Sequence, residues 1–558
     1  MANRKANRKR KMFRGVAVMV VCVASACGQQ QVPTQQVLTQ QVQTQQVPTQ
    51  QVPPEQAAVV EGQGRYTLQV NAQQVVLDVV VTDKHGANVK GLSKDDFTVY
   101  EDKVPQAIRS FEETVPRALG VGAPIHSTAE LDRLEPDAPV SILVIDEVTT
   151  TFEDLAFARY SLKKYLKGKG DTLEQPTMLV AANFRNVAVL VDYTTSKQAI
   201  LDALDHHRTN YSELDRKGSV EWVGDELNAS FRSLMGVAEA TAGHAGHKNM
   251  IWIGRGFPPV VMIGQPMDEV EAYKKELASC TRLLRDSRVT LYMLDPVGVS
   301  AFVGPREQEG AFAIDPFATQ LDFDAIAAST GGLAMHGRND LNMMIDESAR
   351  GGEAFYTLAY RPSSSSDNPM EFRNIRVVMK DRNLRANARE GYFAGVAPVT
   401  PLLKADGKFS KRVIFDFNVA SESLLIYDGV PVTATRDATV ADRFSLQVHA
   451  ADLPLQADGS QKQSAELMIV VASFDRSGSM LEHNARLVTA QLDMGVPEKG
   501  MIKIPVSIST ASPAVRVRFV VRANGSGKMG AANYFLVDQK VMAEPATSVD
   551  PRKSLRSR

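Results

Sequence analysis

Ser141-Ile142-Leu143-Val144-Ile145-Asp146 is the stretch on which the fold turns. It is a short apolar run, rich in β-branched residues, that ends on a carboxylate. Such a run predicts a strand buried on both faces, as in a parallel sheet. An amphipathic segment, Phe152–Leu166, follows, and then apolar runs at Thr177–Ala182 and Val187–Val191. Helical patterns recur at Ser196–His206, Glu221–Thr241 and Met267–Asp286, and apolar runs at Met250–Ile253, Val289–Leu294 and Gly332–Met335. Short apolar strands alternating with helices predict a parallel sheet covered on both faces. The expectation is an α/β doubly wound, Rossmann-like domain over residues 138–395, closed by a hairpin of Phe355–Arg361 and Ile375–Met379.

The flanks read as β structure. Over residues 66–115, Val75, Leu77, Val79 and Val81 alternate with more polar neighbours, Asp83-Lys84-His85-Gly86 forms a turn, and Phe97–Asp102 forms a second strand. This predicts a small all-β unit. Residues 400–545 predict a β-sandwich-like domain, with strands at Val413–Phe417, Phe444–Val448, Glu466–Val471, Met501–Ser507 and Val515–Val521. A basic tail occupies 546–558. Three folded units suit 558 residues at roughly 100–200 residues per domain.

Residues 1–27 have the layout of a signal peptide. Arg4, Lys5, Arg8, Lys9, Arg10, Lys11 and Arg14 precede an apolar run, Val16–Ala26, too short to span ~30 Å of hydrocarbon. Two readings stay open at its end. Ala24-Ser25-Ala26 suits ordinary cleavage, and small residues just before Cys27 resemble a lipobox, in which Cys27 is lipidated. Residues 28–65 form a Gln/Val/Pro/Thr-rich linker with QQVPT repeats, nearly devoid of charge, which cannot build a core. The expected location is therefore outside the cytoplasm, in the periplasm or at the outer membrane or cell surface. The membrane is met through a lipidated N-terminus rather than a transmembrane helix. A net charge of −1 gives no reason to expect nucleic acid as a partner. Of three cysteines, Cys22 and Cys27 lie in the leader region, so Cys280 has no disulfide partner and reads as a small core hydrophobe.

Several stretches resemble the von Willebrand factor A-related domain family common in acidobacteria. They are Asp78-Val-Val-Val-Thr-Asp83 running on to Gly91-Leu-Ser-Lys-Asp95-Asp96-Phe97, then Leu143-Val-Ile-Asp146, then Lys248-Asn249-Met-Ile-Trp252-Ile-Gly254-Arg-Gly256-Phe257-Pro258, and finally Ala388-Arg389-Glu390-Gly391-Tyr392-Phe393. The resemblance covers roughly 66–395 and implies a von Willebrand factor A-like fold. It implies a metal-ion-dependent adhesion site as well, whose first loop in such domains reads Asp-x-Ser-x-Ser. Hard oxygen ligands there suit Mg²⁺.

This chain departs from that pattern. The loop is Asp146-Glu147-Val148-Thr149-Thr150, so Val148 stands where a hydroxyl should be. Arg255 stands where a carboxylate is usual, and a fixed cation repels a divalent ion. The expectation is a degenerate site with no cofactor, in which Asp146, Thr150 and Thr194 (or Thr195) are the residues that would hold Mg²⁺ if it bound. Arg255 is expected to replace the metal by pairing with Asp146. Asp475-Arg476-Ser477-Gly478-Ser479 matches the metal motif but reads as a β-turn, because too little chain follows for an A domain. His244 and His247, without nearby Cys, Asp or Glu in the sequence, read as loop histidines rather than a zinc site. No nucleophile elbow, phosphate loop or HExxH motif is present. The reading is a non-enzymatic, envelope-associated binding protein. Its ligand, a protein or other envelope component, would meet the strand-end residues Asp146, Glu147, Thr149, Thr150, Thr194 and Arg255, with Asp295 beside them. The alternative is a structural or assembly component acting through its β domains.

Overall fold

The computed structural model describes residues 74–536, apart from 115–123, 185–186, 210–219, 258–259, 262–263, 265, 299–316, 318–319, 365–367, 369, 395–412, 415–416, 418–419, 422–424, 458–461, 477–478 and 494–500. The leader, Cys27, the linker and the basic tail lie outside the described residues, as does most of the two long loops at 208–222 and 298–317.

The chain opens with β1 (Val75–Thr82), β2 (Phe97–Glu101), β3 (Val104–Gln106) and β4 (Ile108–Thr114), followed by α1 (Thr128–Leu134). The central part runs β5 (Val140–Asp146), α2 (Phe152–Lys167), β6 (Thr172–Ala182), β7 (Val187–Ser196), α3 (Lys197–His206), α4 (Val220–Ala240), β8 (Lys248–Ile253), β9 (Val260–Val261), α5 (Met267–Asp286), β10 (Val289–Leu294), β11 (Gln320–Leu321), α6 (Phe323–Ser329), β12 (Ala334–Met335) and α7 (Leu341–Glu353). Then come β13 (Phe355–Tyr360), β14 (Phe372–Met379), β15 (Arg385–Asn387) and β16 (Gly391–Phe393). The last part holds β17 (Val432–Arg436), β18 (Arg443–His449), β19 (Gln456–Ala457), β20 (Lys462–Phe474), β21 (Met480–Asp493), β22 (Met501–Ser507), β23 (Arg516–Ala523) and β24 (Met529–Phe535).

The six-stranded central sheet has the order β12-β10-β8-β5-β6-β7. All neighbours are parallel except β6 and β7. The continuous apolar character of β5 follows from its central place. Val140, Ile142 and Val144 point to one face, with Leu234 and Phe231 of α4, Leu277 and Cys280 of α5 and Phe323 of α6. Leu143 and Ile145 point to the other, with Leu155 and Leu162 of α2, Ile200 of α3 and Met344 of α7. Burying each such side chain contributes about 1.5–3 kcal/mol. The same alternation gives β8 its two faces, Met250 and Trp252 against Ile251 and Ile253.

The hairpin expected at 355–379 does not form. β13 pairs with β1 and β4, and β14 pairs with β2 and β16. Residues 355–393 therefore complete a β-sandwich begun by 75–114, with sheet orders β15-β1-β13-β4 and β16-β14-β2-β3. The α/β unit is inserted between the two halves of that sandwich. Its core gathers Leu77, Val79 and Val99 with Tyr356, Leu358 and Ile375. The buried Glu101 carboxylate accepts from the Tyr360 hydroxyl at 2.5 Å and the Tyr392 hydroxyl at 3.0 Å, tying early strand to late strands.

In the last part, a three-stranded sheet β17-β18-β22 faces the sheet of β19, β20, β21, β23 and β24, with Phe444, Leu467 and Phe519 between them. The other face of that second sheet, through Met468, Val470 and Val520, joins the core on the α4 side of the central sheet. Val413–Phe417 is not the expected strand; the described residues 413, 414, 417, 420 and 421 are helical. They lie against that sheet, where the carbonyls of Ala420 and Leu425 accept from the buried Arg518 at 2.6 and 2.7 Å.

Polar joints hold the units together at the amino ends of the parallel strands. Asp78 of β1 accepts from Arg288 Nη2 at 2.9 Å and from Thr357 Oγ1 at 2.8 Å, and meets His247 Nδ1 at 2.9 Å. His244 meets the Ala138 carbonyl at 2.7 Å and Asp132 at 3.3 Å, so both histidines are structural partners. Asp428 accepts from Gly243 N at 2.7 Å. Burial pushes Asp428 up to about 7, aided by the Asp132 charge and opposed by the Gly243 amide, Lys248 and His244. Its proton is thus held more tightly in the folded chain than in the unfolded one. The stability contributed this way is fully present below the unfolded carboxylate value near ~3.9 and is lost as pH rises through about 7. Burial brings Lys248 down to about 8, so its own contribution changes only above that pH. Asp428→Asn keeps an acceptor for Gly243 and should flatten this loss. Denaturant titrations at pH ~5 and ~7.5 should show the wild-type stability difference shrinking by about 2 kcal/mol in the variant.

Candidate functional site

The carboxyl ends of β5, β8, β10 and β12 lie side by side, because the sheet is parallel there. Asp146 closes β5 and is fully buried. It shares the pleat face of Val144, whose neighbour across the sheet is Trp252. Five donors converge on its carboxylate. Oδ1 accepts from Val148 N at 2.9 Å and Thr149 N at 3.1 Å. Oδ2 accepts from Thr149 Oγ1 at 2.6 Å, the Trp252 indole at 3.1 Å and Gly256 N at 3.0 Å. Burial pushes this carboxyl above the ordinary carboxylate range, while the Thr149, Trp252 and Val148 donors pull it down.

The loop after β8 is shaped to deliver the Gly256 amide. Gly254 (φ +155°) and Gly256 (φ +68°) adopt backbone that side-chained residues avoid. A Cβ on Gly254 would lie 2.2 Å from Asp146 Cβ, and one on Gly256 would lie 2.3 Å from the Phe323 ring. Trp252 is fully buried and packs on Phe323 at 5.1 Å between ring centroids.

The other expected site residues fall into three places. Glu147 is buried and meets His207 Nε2 at 2.7 Å, Thr209 Oγ1 at 2.5 Å and Arg159 Nη2 at 3.3 Å. Burial pushes its carboxyl up, but these partners bring it below its ordinary value. Thr149 serves Asp146, and Thr150 is buried with no hydrogen-bond partner for its hydroxyl. Thr194 is a correction. It pairs with Thr177, which pairs in turn with Ser141 at the start of β5. That is the opposite end of the sheet, roughly 16 Å from Asp146 at ~3.3 Å per residue. There Thr194 accepts from Ser196 N, and Thr195 exchanges bonds with Ile125. The antiparallel turn-back of β7 reverses the end at which these threonines emerge.

Arg255 is the second correction. It does not pair with Asp146; half-exposed, it reaches Asp295 at the end of β10, Nε to Oδ1 at 3.5 Å. Asp295 also meets His336 Nδ1 at 3.3 Å, and His336 Nε2 meets Asp324 at 2.8 Å. Burial pushes Asp295 up, and His336, Val297 N and Arg255 together bring it below the ordinary range. The result is a partly exposed run of ionisable side chains, Arg255–Asp295–His336–Asp324, across three strand ends.

These residues do not fit a divalent ion. Both oxygens of Asp146 already accept from internal donors, Val148 has no ligating atom, and of the expected ligands only the Thr150 hydroxyl is uncommitted. Among the described residues, no group of three or more His, Cys, Asp or Glu is placed to hold a metal. Among them, too, no helix is long and apolar enough to cross a membrane. Sequence reasoning missed Trp252, His207, Thr209, Arg159, His336 and Asp324. Trp252 alone carried a local signal, since it stands on the same strand face as Asp146 and two residues before Gly254.

No family model matches the chain. No curated protein matches it. Among solved structures, an aerotolerance-related membrane protein from Bacteroides fragilis aligns at 12% identity over 38% of this chain and 98% of its own, with a TM-score of 0.22. Proximal thread matrix protein 1 from the mussel byssus aligns at 11% identity, 43% of this chain and a TM-score of 0.24. The chain covers about half of that protein, 51%. A Bacteroides uniformis beta-glucuronidase aligns at 10% identity over 33% of this chain and 18% of its own, with a TM-score of 0.11. Likeness at these scores carries no argument about function.

Proposed function

We propose that this chain is an exported, envelope-associated binding protein, non-enzymatic, with a von Willebrand factor A-like domain whose strand ends dock a protein partner without a metal ion. The observation that carries this reading is the saturation of Asp146 by five internal donors, which fixes the loops that a metal would otherwise organise. The surface left for a partner is the exposed part of the charge run, with Arg255 as its most accessible member. A partly exposed ionic surface on rigid strand ends suits a charge-complementary protein partner. Anchoring through a lipidated Cys27 would place that surface beyond the linker.

The test is crosslinked capture from the native cell envelope with the purified chain as bait. A specific partner should be recovered equally with and without EDTA, and Arg255→Glu should reduce its recovery by about tenfold. Recovery lost in EDTA would overturn the metal-independent reading. Recovery indifferent to Arg255→Glu would move the contact from the strand ends to the β units.

A further inference from the structure

Strand β21, Met480–Asp493, is an edge. It pairs with β20 along its whole length, from Lys462↔Asp493 to Phe474↔Met480. Among the described residues, no strand pairs with its outer side. Edge strands are templates for further pairing, and natural proteins blunt them with charged side chains, lysine above all, with proline, short length or bulges; among the charges of β21, Glu482 and Arg486 are of opposite sign. β21 is 14 residues long and contains neither lysine nor proline. Its one register shift lies at the Met480 end, so 482–490 is regular. Glu482, Asn484, Arg486 and Leu487 are exposed, Leu487 at 46%.

The sequence of this edge is self-complementary. Pairing β21 antiparallel with its own copy about Asn484 sets Asn484 opposite Asn484, Glu482 opposite Arg486, and Arg486 opposite Glu482. Leu487 then meets the exposed Leu481 of the other copy. A two-fold axis makes each contact twice, and opposite charges directly across a ladder are favourable. The Arg486 guanidinium is held at this edge by a bond to the Pro505 carbonyl, which uses one of its five N–H groups.

We propose that the outer edge of β21 docks a second copy of this chain, in antiparallel register centred on Asn484, so that one sheet continues through two molecules. The occupant is the chain itself because the charge order Glu482–Asn484–Arg486 reads as its own complement when reversed.

Sedimentation velocity of the purified chain, over a concentration series reaching hundreds of micromolar, should show a monomer–dimer equilibrium. Glu482→Arg places like charges opposite each other twice and should weaken dimerisation by about tenfold. The double variant Glu482→Arg with Arg486→Glu restores opposite charges and should recover the wild-type constant. Its recovery assigns the loss in the single variant to the charge pairing across the ladder. Amide exchange should slow over 482–486 as the dimer fills. A chain monomeric throughout overturns the proposal. So does a dimer indifferent to Glu482→Arg, or a double variant no better than the single one.

Discussion

Asp146→Ala is expected to destabilise the chain by about 3–5 kcal/mol, measured as a shift in the denaturant midpoint at unchanged slope. The reason is the number of groups it strands. Removing the carboxylate leaves the buried Trp252 indole and Val148 and Gly256 amides, and the part-buried Thr149 amide and hydroxyl, without their acceptor. An unsatisfied buried donor costs about 1–3 kcal/mol, and local relaxation recovers part of the total. Asp146→Asn separates charge from shape. Its amide presents one acceptor and two donors to a site built only of donors, so it should also destabilise, by about 2–4 kcal/mol. A carboxylate kept for metal binding behaves oppositely, since its removal relieves repulsion in the apo protein. Stabilisation by either variant would contradict the role assigned here.

Asp78→Ala is expected to cost about 3 kcal/mol and to loosen the joint between the β-sandwich and the α/β unit. Asp78 lies on β1, yet its partners Arg288 and His247 belong to the central unit and Thr357 to the returning strand β13. Its removal leaves a partly buried guanidinium facing a histidine with no anion between them. Burial pushes the Asp78 carboxyl up, but the His247 and Arg288 contacts hold it well below the ordinary range. With the folded-state value depressed, its contribution is present at pH above the unfolded value near ~3.9 and is lost as pH falls below that. Amide exchange of the variant should show faster opening in β1 and β13, and the acid limb of its stability profile should lie flatter than that of the wild type. An unchanged exchange pattern would mean that the Asp78 contacts do not hold the joint.

The elements of the central unit were legible because burial on both faces leaves a distinct pattern. The runs at 141–145, 250–253 and 289–294 correspond to β5, β8 and β10, and the helical period at 267–286 to α5. The pairing of 355–393 was not legible. Those strands follow the helices in sequence, but β13 pairs with β1 and β14 with β2, each more than 200 residues earlier, and alternation says nothing about which strand completes which sheet. The segment at 413–421 was misread because an apolar run of that length fits a strand and a helical turn equally. At the site, Asp146 was found from its place at the end of an apolar strand. What its carboxylate meets was not, because two of the five donors, the Trp252 indole and the Gly256 amide, come from more than 100 residues away, and three of the five are backbone amides, which no side-chain motif encodes. Arg255 was found but given the wrong partner. Asp295 is the carboxylate it reaches, and Gly256, next along the loop, donates its amide to Asp146 instead.

On the proposed reading, internal donors take the place of a metal at the end of β5. Titrating Mg²⁺, and separately Mn²⁺, into the EDTA-stripped chain, with heat and thermal midpoint as readouts, tests it most directly. No saturable heat and no rise in Tm are expected with either ion. Saturable binding that raises Tm and is abolished by Thr150→Val would overturn that reading, and would place a metal on Asp146 and the uncommitted Thr150 hydroxyl.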